Sequence, residues 1–284
     1  SPETTSGTTT EKTPGFSVLR RFMPFQPKVV GYAAVTTESK QAYSDTIWQD
    51  VTRFRIVTPD KIEINRGTGW SRYLDPPQNE TPISIAACRT MEKAAYSLTT
   101  WVKVHIFLLT KSGTIWESID GSPWEVFIKG DGEEAIGIAS ASYAEKAAYS
   151  STTYWNIRLF RLLKDGSIES SEGHSWEWFA SPGSKRVLAI SAASWREKAF
   201  YSDTTWWHVG VFRLLDDGTV EKSETGADWS RYTTLPNATV IAAYTVEEKA
   251  AYSPITWVNI EVEGASEDPQ SSASFRRNGS LGGR

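Results

Sequence analysis

The stretch Lys146-Ala-Ala-Tyr-Ser150 decides the fold, because its pattern Lys-x-x-Tyr-Ser occurs five times in this chain. The tyrosines of successive copies are 53, 53, 52 and 51 residues apart. The copies begin at Lys40, Lys93, Lys146, Lys198 and Lys249. Five residues after each tyrosine stands an aromatic residue: Trp48, Trp101, Tyr154, Trp206 and Trp257. A fixed period of about fifty residues predicts a repeat architecture.

Each repeat also contains the signals of several short strands. In the third repeat, a β-branched and aromatic run over Ile157–Leu163 is followed by a turn at Asp165-Gly166 and a short strand from Ile168. Glycine supplies the positive φ that a tight hairpin turn needs. A tryptophan, here Trp176, closes the unit. Four short strands per unit and no helical periodicity predict an all-β fold, a five-bladed β-propeller with four antiparallel strands per blade.

The ends of the chain carry a signal for ring closure. The fifth repeat lacks a closing aromatic segment after Trp257, whereas the segment Leu19–Phe22 precedes the first repeat as Trp229–Tyr232 precedes the fifth. We therefore expect the N-terminal segment to complete the last blade and close the ring. The predicted organisation is a flexible N-terminal tail at 1–14, the propeller at 15–265 and a flexible C-terminal tail at 266–284.

Composition excludes several functional classes. Among 284 residues there are one cysteine and three histidines, so we expect no metal site, and no glycine-rich fingerprint indicates a nucleotide cofactor. The net charge of −4 argues against nucleic acid, and no apolar run is long enough to insert into a membrane. We expect a monomer that binds a small molecule. Three glycosylation sequons, at Asn79, Asn237 and Asn278, are compatible with secretion and leave the compartment undecided.

Chemistry at a single site should break the repeat, so positions that differ between repeats are the candidates. His105 and Arg158 are polar departures in the predicted third strand of their repeats, and His208 lies two residues earlier in its own repeat; we expect them to act as hydrogen-bond donors to a substrate. Aromatic residues are doubled in two adjacent repeats, and with Trp101 they form the expected substrate-binding set: Trp101, Tyr154, Trp155, Trp206 and Trp207. The competing interpretation is that the rings pack between blades and the polar residues are solvated.

The blade layout resembles that of the fungal fucose-binding lectins. The likeness rests on the small-residue first strand, Ile157-Arg-x-Phe160, Asp165-Gly-x-Ile-Glu169 and Gly173-x-x-Trp176. The resemblance implies a sugar site made by an arginine, a glutamate about eleven residues later and an aromatic residue of the adjacent blade. The third repeat alone offers such a pair, Arg158 and Glu169, so the resemblance implies one degenerate glycan site.

A second resemblance is to lectin-like propellers of fungal natural-product biosynthesis that act as cofactor-free hetero-Diels–Alderases. It implies joining of a polarised heterodiene, a tropolone quinone methide, to an apolar terpenoid. Such a catalyst needs an aromatic pocket and a few donors, and proximity supplies most of the acceleration. The sequence therefore favours an enzyme without cofactors acting on terpenoid or polyketide compounds. A glycan-binding lectin and a protein-interaction scaffold stay open as alternatives.

Overall fold

The computed structural model describes residues 25–40, 47–93, 100–146, 153–198, 205–249, 256–271 and 275–281. The regular elements in these ranges are β-strands. The first sheet contains β1 (Val29–Lys40), β2 (Ile47–Val57), β3 (Lys61–Asn65) and β4 (Ser71–Arg72). The second contains β5 (Pro82–Lys93), β6 (Thr100–Thr110), β7 (Ile115–Ile119) and β8 (Glu125–Ile128). The third contains β9 (Ala135–Lys146), β10 (Thr153–Leu163), β11 (Ile168–Ser171) and β12 (Glu177–Ala180). The fourth contains β13 (Val187–Lys198), β14 (Thr205–Leu215), β15 (Thr219–Ser223) and β16 (Ser230–Thr234). The last contains β17 (Val240–Lys249), β18 (Thr256–Ala265) and β19 (Phe275–Leu281).

The all-β propeller is confirmed, but the predicted five blades of four strands each are wrong. In the described residues four sheets have four strands, and the last has three. The reason lies at the chain end: β19 pairs antiparallel with β18 and takes the place next to it, so the C-terminal segment extends the last sheet. β19 falls within the stretch 266–284 that was predicted to be a flexible tail. The predicted N-terminal closing segment Leu19–Phe22 and the tail 1–14 lie outside the described residues.

The first strands of the sheets surround a common axis. β1, β5, β9, β13 and β17 each pack against the next, and β17 also packs against β1. Small side chains allow these strands to approach closely. The axis-lining positions at one level are Ala34, Ala87, Ser140, Ala192 and Ala243.

Two residues further along the strands, side chains cross-link neighbouring sheets. We call this level the axial belt, and its members are Thr36, Arg89, Ser142, Ser194 and Thr245. Thr36 Oγ1 donates to the Thr245 carbonyl at 2.7 Å, and Thr245 Oγ1 donates to the Ser194 carbonyl at 2.8 Å. Arg89 Nη1 donates to the Thr36 carbonyl at 3.0 Å, and Ser142 Oγ donates to the Arg89 carbonyl. Each bond joins a belt residue to its counterpart in the preceding sheet, so the belt fixes the spacing of the sheets.

A repeated aromatic pair fills the core of the four four-stranded sheets. Phe160 of β10 is fully buried, and the ring of Phe179 lies edge-on to it with centroids 5.1 Å apart. Phe107–Phe127 and Phe212–Tyr232 have the same arrangement, and the rings of Phe54 and Tyr73 are in contact at a tilt of 56°. Burying a phenylalanine contributes about 1.5–3 kcal/mol, and an aromatic pair of this geometry adds about 0.5–1.5 kcal/mol. The repeated phenylalanine and the aromatic residue that follows the closing tryptophan are therefore packing residues.

Candidate functional site

An axial cavity of about 70 Å³ lies between the five first strands and is partly open to solvent. Its wall contains the Ala/Ser level, the axial belt and, between them, Val35, Cys88, Ala141, Ala193 and Tyr244. Trp155, Trp195, Trp207 and Glu247 complete the lining. The cavity follows from the small residues of the first strands, because five larger side chains at one level would fill the axis.

Trp155 and Trp207 come together at the hairpin end of this cavity. Trp155 lies opposite Ala144 and Trp207 opposite Arg196, in each case two residues beyond the axial belt. Their indole rings contact each other edge to face, with centroids 5.4 Å apart and planes at 73°. Both side chains are half-buried and line the cavity. The structure thus brings together the second member of each doubled aromatic pair.

The other predicted substrate-binding rings lie elsewhere. Trp101, Tyr154 and Trp206 are exposed to solvent, and none of them lines the axial cavity. In each doubled pair the first ring therefore points to solvent and the second toward the axis, as alternation along a strand requires.

His105 is held entirely by neighbouring side chains. It is buried, its Nδ1 lies 2.7 Å from Glu117 Oε1, and its Nε2 lies 2.9 Å from Thr90 Oγ1. The ring also stacks on Phe107. Both ring nitrogens contact side chains of the second sheet, and His105 does not line the cavity, so it is not placed to contact a molecule at the axis.

Arg158 belongs to an exposed polar cluster that we call the Arg158 cluster, made of Arg158, Tyr143 and Glu172. Arg158 Nε and Nη2 donate to Glu172 Oε1 at 3.0 and 2.6 Å, and Tyr143 Oη donates to the same oxygen at 2.7 Å. Hydrogen bonds from the Tyr143 hydroxyl and the Arg158 guanidinium hold the pKa of Glu172 below its usual range, although burial acts to raise it. Burial and the Glu172 carboxylate raise the pKa of Tyr143 to about 12. Arg158 and Glu172 are 37% and 46% exposed, so the cluster is open to a polar ligand.

Glu169, the expected partner of Arg158, instead pairs with Arg161. These residues face each other across β10 and β11, and Arg161 Nη2 lies 2.6 Å from Glu169 Oε2. The guanidinium carbon of Arg161 lies 4.4 Å from the Trp176 ring centroid, and Arg161 Nη1 lies 2.8 Å from Asp131. The same trio recurs as Arg55–Glu63–Trp70 and Arg213–Glu221–Trp229. In each trio the arginine is largely buried and the tryptophan packs in a core shared with a neighbouring sheet, which marks the trio as a structural support.

His208 lies between two carboxylates on the fourth sheet. Its Nδ1 is 3.2 Å from Glu224 Oε2, and its Nε2 is 3.3 Å from Glu197 Oε2, an ion-pair distance without hydrogen-bond geometry. The imidazole stacks on Trp195 with centroids 5.3 Å apart, and it does not line the axial cavity. Gly210 stands beside this stack because a Cβ there would lie 3.0 Å from both Trp195 and Lys222.

Arg89 and Ser140 were not among the site residues predicted from the sequence. Both line the axial cavity, in the adjacent strands β5 and β9. In the other four repeats the position equivalent to Ser140 is alanine, and the position equivalent to Arg89 is serine or threonine. Both residues therefore depart from the repeat, and this could have been noticed in the sequence. Cys88, between Ala87 and Arg89, is buried, and burial raises the pKa of its thiol to about 12.

Two general findings concern metals and membranes. Within the ranges that the structure describes, no group of three or more His, Cys, Asp or Glu side chains is arranged to hold a metal ion. In the same ranges no helix is long and apolar enough to span a bilayer.

Comparisons with known proteins give structural similarity alone. No family model matches the chain, and no curated protein matches it. Among solved structures it is similar to AofleA from Arthrobotrys oligospora, with TM-score 0.48 and 13% identity over 89% of this chain and 69% of that one. It is also similar to the fucose-specific lectin from Aleuria aurantia, with TM-score 0.46 and 12% identity over 89% and 80% of the two chains. SapL1 lectin, solved with alpha methyl fucoside, matches with TM-score 0.38 and 13% identity over 88% and 96%. The expected likeness to fungal fucose-lectin propellers is confirmed, and it concerns the layout of the fold.

Proposed function

We propose that the protein binds a small apolar molecule at the hairpin end of the axial cavity. We further propose that it catalyses, without a cofactor, a cyclisation of the hetero-Diels–Alder type. The observation that carries the proposal is the contact between Trp155 and Trp207 beside the cavity. Two half-buried indoles offer flat apolar surface to a polyene, and they are the doubled aromatics at which two neighbouring repeats depart from the others.

The size of the cavity limits how such a ligand sits. A closed cavity that holds benzene has a volume of about 150 Å³, whereas this one has about 70 Å³. A terpenoid therefore does not fit inside. Only a head group enters the cavity, and the apolar body lies against Trp155 and Trp207.

The reaction class suits this arrangement. In a hetero-Diels–Alder addition the heterodiene and the alkene combine with all atoms retained, and one C–O and one C–C bond form at the expense of two π bonds. No proton, electron or co-reactant is consumed. The protein has to hold the two partners in contact, which is the source of large effective molarities, and to donate hydrogen bonds to the heterodiene oxygen as charge builds there.

The test is binding and turnover with single tryptophan variants. We expect Trp155→Ala and Trp207→Ala each to weaken binding of a terpenoid polyene at least tenfold and to lower its cycloaddition with an enone heterodiene. The control is Trp178→Ala, which removes an exposed indole that does not line the cavity. Melting temperatures establish that all three variants fold. Polyene binding that survives both cavity variants refutes the proposal.

A second candidate function, carbohydrate binding, is favoured by the Arg158 cluster. A charged donor and a charged acceptor beside an aromatic ring suit the adjacent hydroxyls of a sugar, and these groups are solvent-accessible. We expect Arg158→Ala to abolish any binding detected on a glycan array. Arg72→Ala, which removes an exposed arginine paired with Asp75, is the matched control. A wild-type protein that binds no glycan excludes this function.

A further inference from the structure

Two of the glycosylation sequons occupy the same place in two different repeats. Asn79-Glu80-Thr81 lies in the loop before β5, and Asn237-Ala238-Thr239 lies in the loop before β17. In both loops the threonine directly precedes the first residue of the strand. The equivalent triplets of the other repeats are 26–28, 132–134 and 184–186. The five loops can therefore be compared position by position.

In this comparison the asparagine and the threonine occur together. Where the first position of the triplet is not asparagine, the third is a charged residue: Lys28, Glu134 or Arg186. The backbone does not require the threonine, because the carbonyl at this position accepts a bond of about the same length from Thr81 and from Glu134, at 2.9 and 3.0 Å. Asparagine followed two residues later by threonine is the pattern that an N-glycan acceptor needs.

Both asparagines stand at the corner of a β-turn. Each turn is closed by a bond from the amide of the middle sequon residue to the carbonyl three residues earlier, at 3.1 and 3.3 Å. The values of φ at Asn79 and Asn237 are +64° and +63°. Asparagine and glycine tolerate this conformation, and Gly132, with φ of +93°, takes the same place in the third repeat. The turn thus accounts for the asparagine but not for the threonine.

The two asparagine side chains are available to solvent. Both residues are exposed, and neither side-chain amide bonds to another described residue. Their neighbours hold the loops instead, since Glu80 accepts a hydrogen bond from Ser112 at 3.0 Å and Ala238 packs in the core between the last two sheets. A glycan on either asparagine therefore displaces no contact of the described fold.

The two loops lie at the end of the propeller that the ligand does not use. β5 and β17 begin at these loops and run to the hairpin end, where Trp155 and Trp207 meet. The third sequon, at Asn278, lies within β19 and lacks the turn. Carbohydrate on the two loops covers one face and leaves the other free.

We propose that Asn79 and Asn237 are acceptor sites for N-linked glycans. The inference does not depend on the proposed function, because the sites are far along the strands from the axial aromatic residues. The donor is an oligosaccharide diphospholipid. The side-chain amide nitrogen forms a bond to the anomeric carbon of the first sugar, the anomeric C–O bond to the diphosphate breaks, the diphospholipid leaves, and the amide gives up one proton.

The experiment is peptide mass spectrometry of the full chain secreted from a yeast host behind a cleavable leader. An endoglycosidase that leaves one sugar on each modified asparagine marks the sites. We expect the mark on Asn79 and on Asn237. Thr81→Val and Thr239→Val keep the size of the side chain but remove the hydroxyl, so each should abolish the mark on its own asparagine and leave the other unchanged.

The control is Thr234→Val, which changes an exposed threonine outside any sequon and should leave both marks in place. Melting temperatures of the three variants establish that they fold. A secreted, folded chain without sugar on either asparagine overturns the inference, and so does sugar that persists after the hydroxyl has been removed. Sugar on one asparagine alone overturns the assignment of the other.

Discussion

A buried carboxylate joins the last sheet to the first, and its removal should weaken the ring strongly. Glu263 of β18 is 2% exposed and accepts hydrogen bonds from Arg53 Nε and Nη2 at 2.7 and 2.6 Å. The Tyr32 hydroxyl donates to it at 2.9 Å and the Tyr244 hydroxyl at 2.5 Å. Glu263→Gln keeps the shape of the side chain but leaves the Arg53 guanidinium without its buried counter-charge.

Removing one partner of a buried ion pair costs about 3–5 kcal/mol. For a domain of this size, that loss lowers the melting temperature by about 6–20 °C. Guanidinium chloride unfolding gives the free energy, and calorimetry gives the melting temperature. The matched control is Glu267→Gln, which breaks the pair between Lys28 and Glu267, side chains that are 56% and 54% exposed. An exposed pair contributes about 0–1 kcal/mol. Equal losses in the two variants would refute the argument that the buried carboxylate holds the ring together.

The same group predicts the direction of a pH effect. Burial acts to raise the pKa of Glu263, but the hydrogen bonds from Arg53 and Tyr244 outweigh it and hold the pKa below its usual range. A group whose pKa is lower in the folded state stabilises the fold at pH values above its unfolded pKa, and the contribution disappears as the pH falls through the folded pKa. The difference in stability between wild type and Glu263→Gln should therefore be constant near neutral pH and shrink below about pH 4. A difference that grows in acid would contradict this assignment.

Three further predictions concern other parts of the chain. Deleting residues 275–284 removes β19 and exposes the edge of β18, so the truncated protein should melt earlier and scatter more light on heating than the full chain. Gly226→Ala should lower the free energy of unfolding by clearly more than about 1 kcal/mol, because φ at Gly226 is +81° and a Cβ there would collide with the Phe179 carbonyl. The control is Gly67→Ala, which measures the backbone strain alone because φ is +103° and the space around Gly67 is open. Cys88 should react with a thiol reagent only after unfolding, since burial raises its pKa to about 12, and rapid labelling of the native protein would show that the axis is more open than described.

Periodicity was sufficient to predict the fold class but not the strand count of the last sheet. The propeller could be predicted because the second, third and fourth repeats each carry a turn glycine and a core phenylalanine, as at Gly166 and Phe160. The last repeat has no such markers after Trp257. Its third strand, Phe275–Leu281, consists largely of arginine, glycine, serine and asparagine, so neither alternation nor β-propensity distinguishes it from a tail.

Two of the predicted aromatic residues line the axial cavity, whereas the expected pair of Arg158 and Glu169 does not form. Trp155 and Trp207 were found because doubled aromatics interrupt the repeat. Glu169 was assigned to Arg158 on a spacing carried over from another family, whereas strand register places it directly opposite Arg161. The register of two strands depends on the length of the turn between them. A residue spacing taken from another family therefore does not predict which residues face each other in this chain.

The repeat explains why a site at the axis is hard to predict from the sequence and where such a site should be sought. Five similar strands around one axis satisfy one another symmetrically, as the hydroxyls of Thr36 and Thr245 do by donating to the carbonyls of the preceding sheets. A symmetric belt has no direction and cannot orient an asymmetric ligand. Direction arises only where one sheet departs from the others, and Arg89 and Ser140 are two such departures on adjacent strands. An asymmetric site at the axis should therefore be sought at such departures from the repeat.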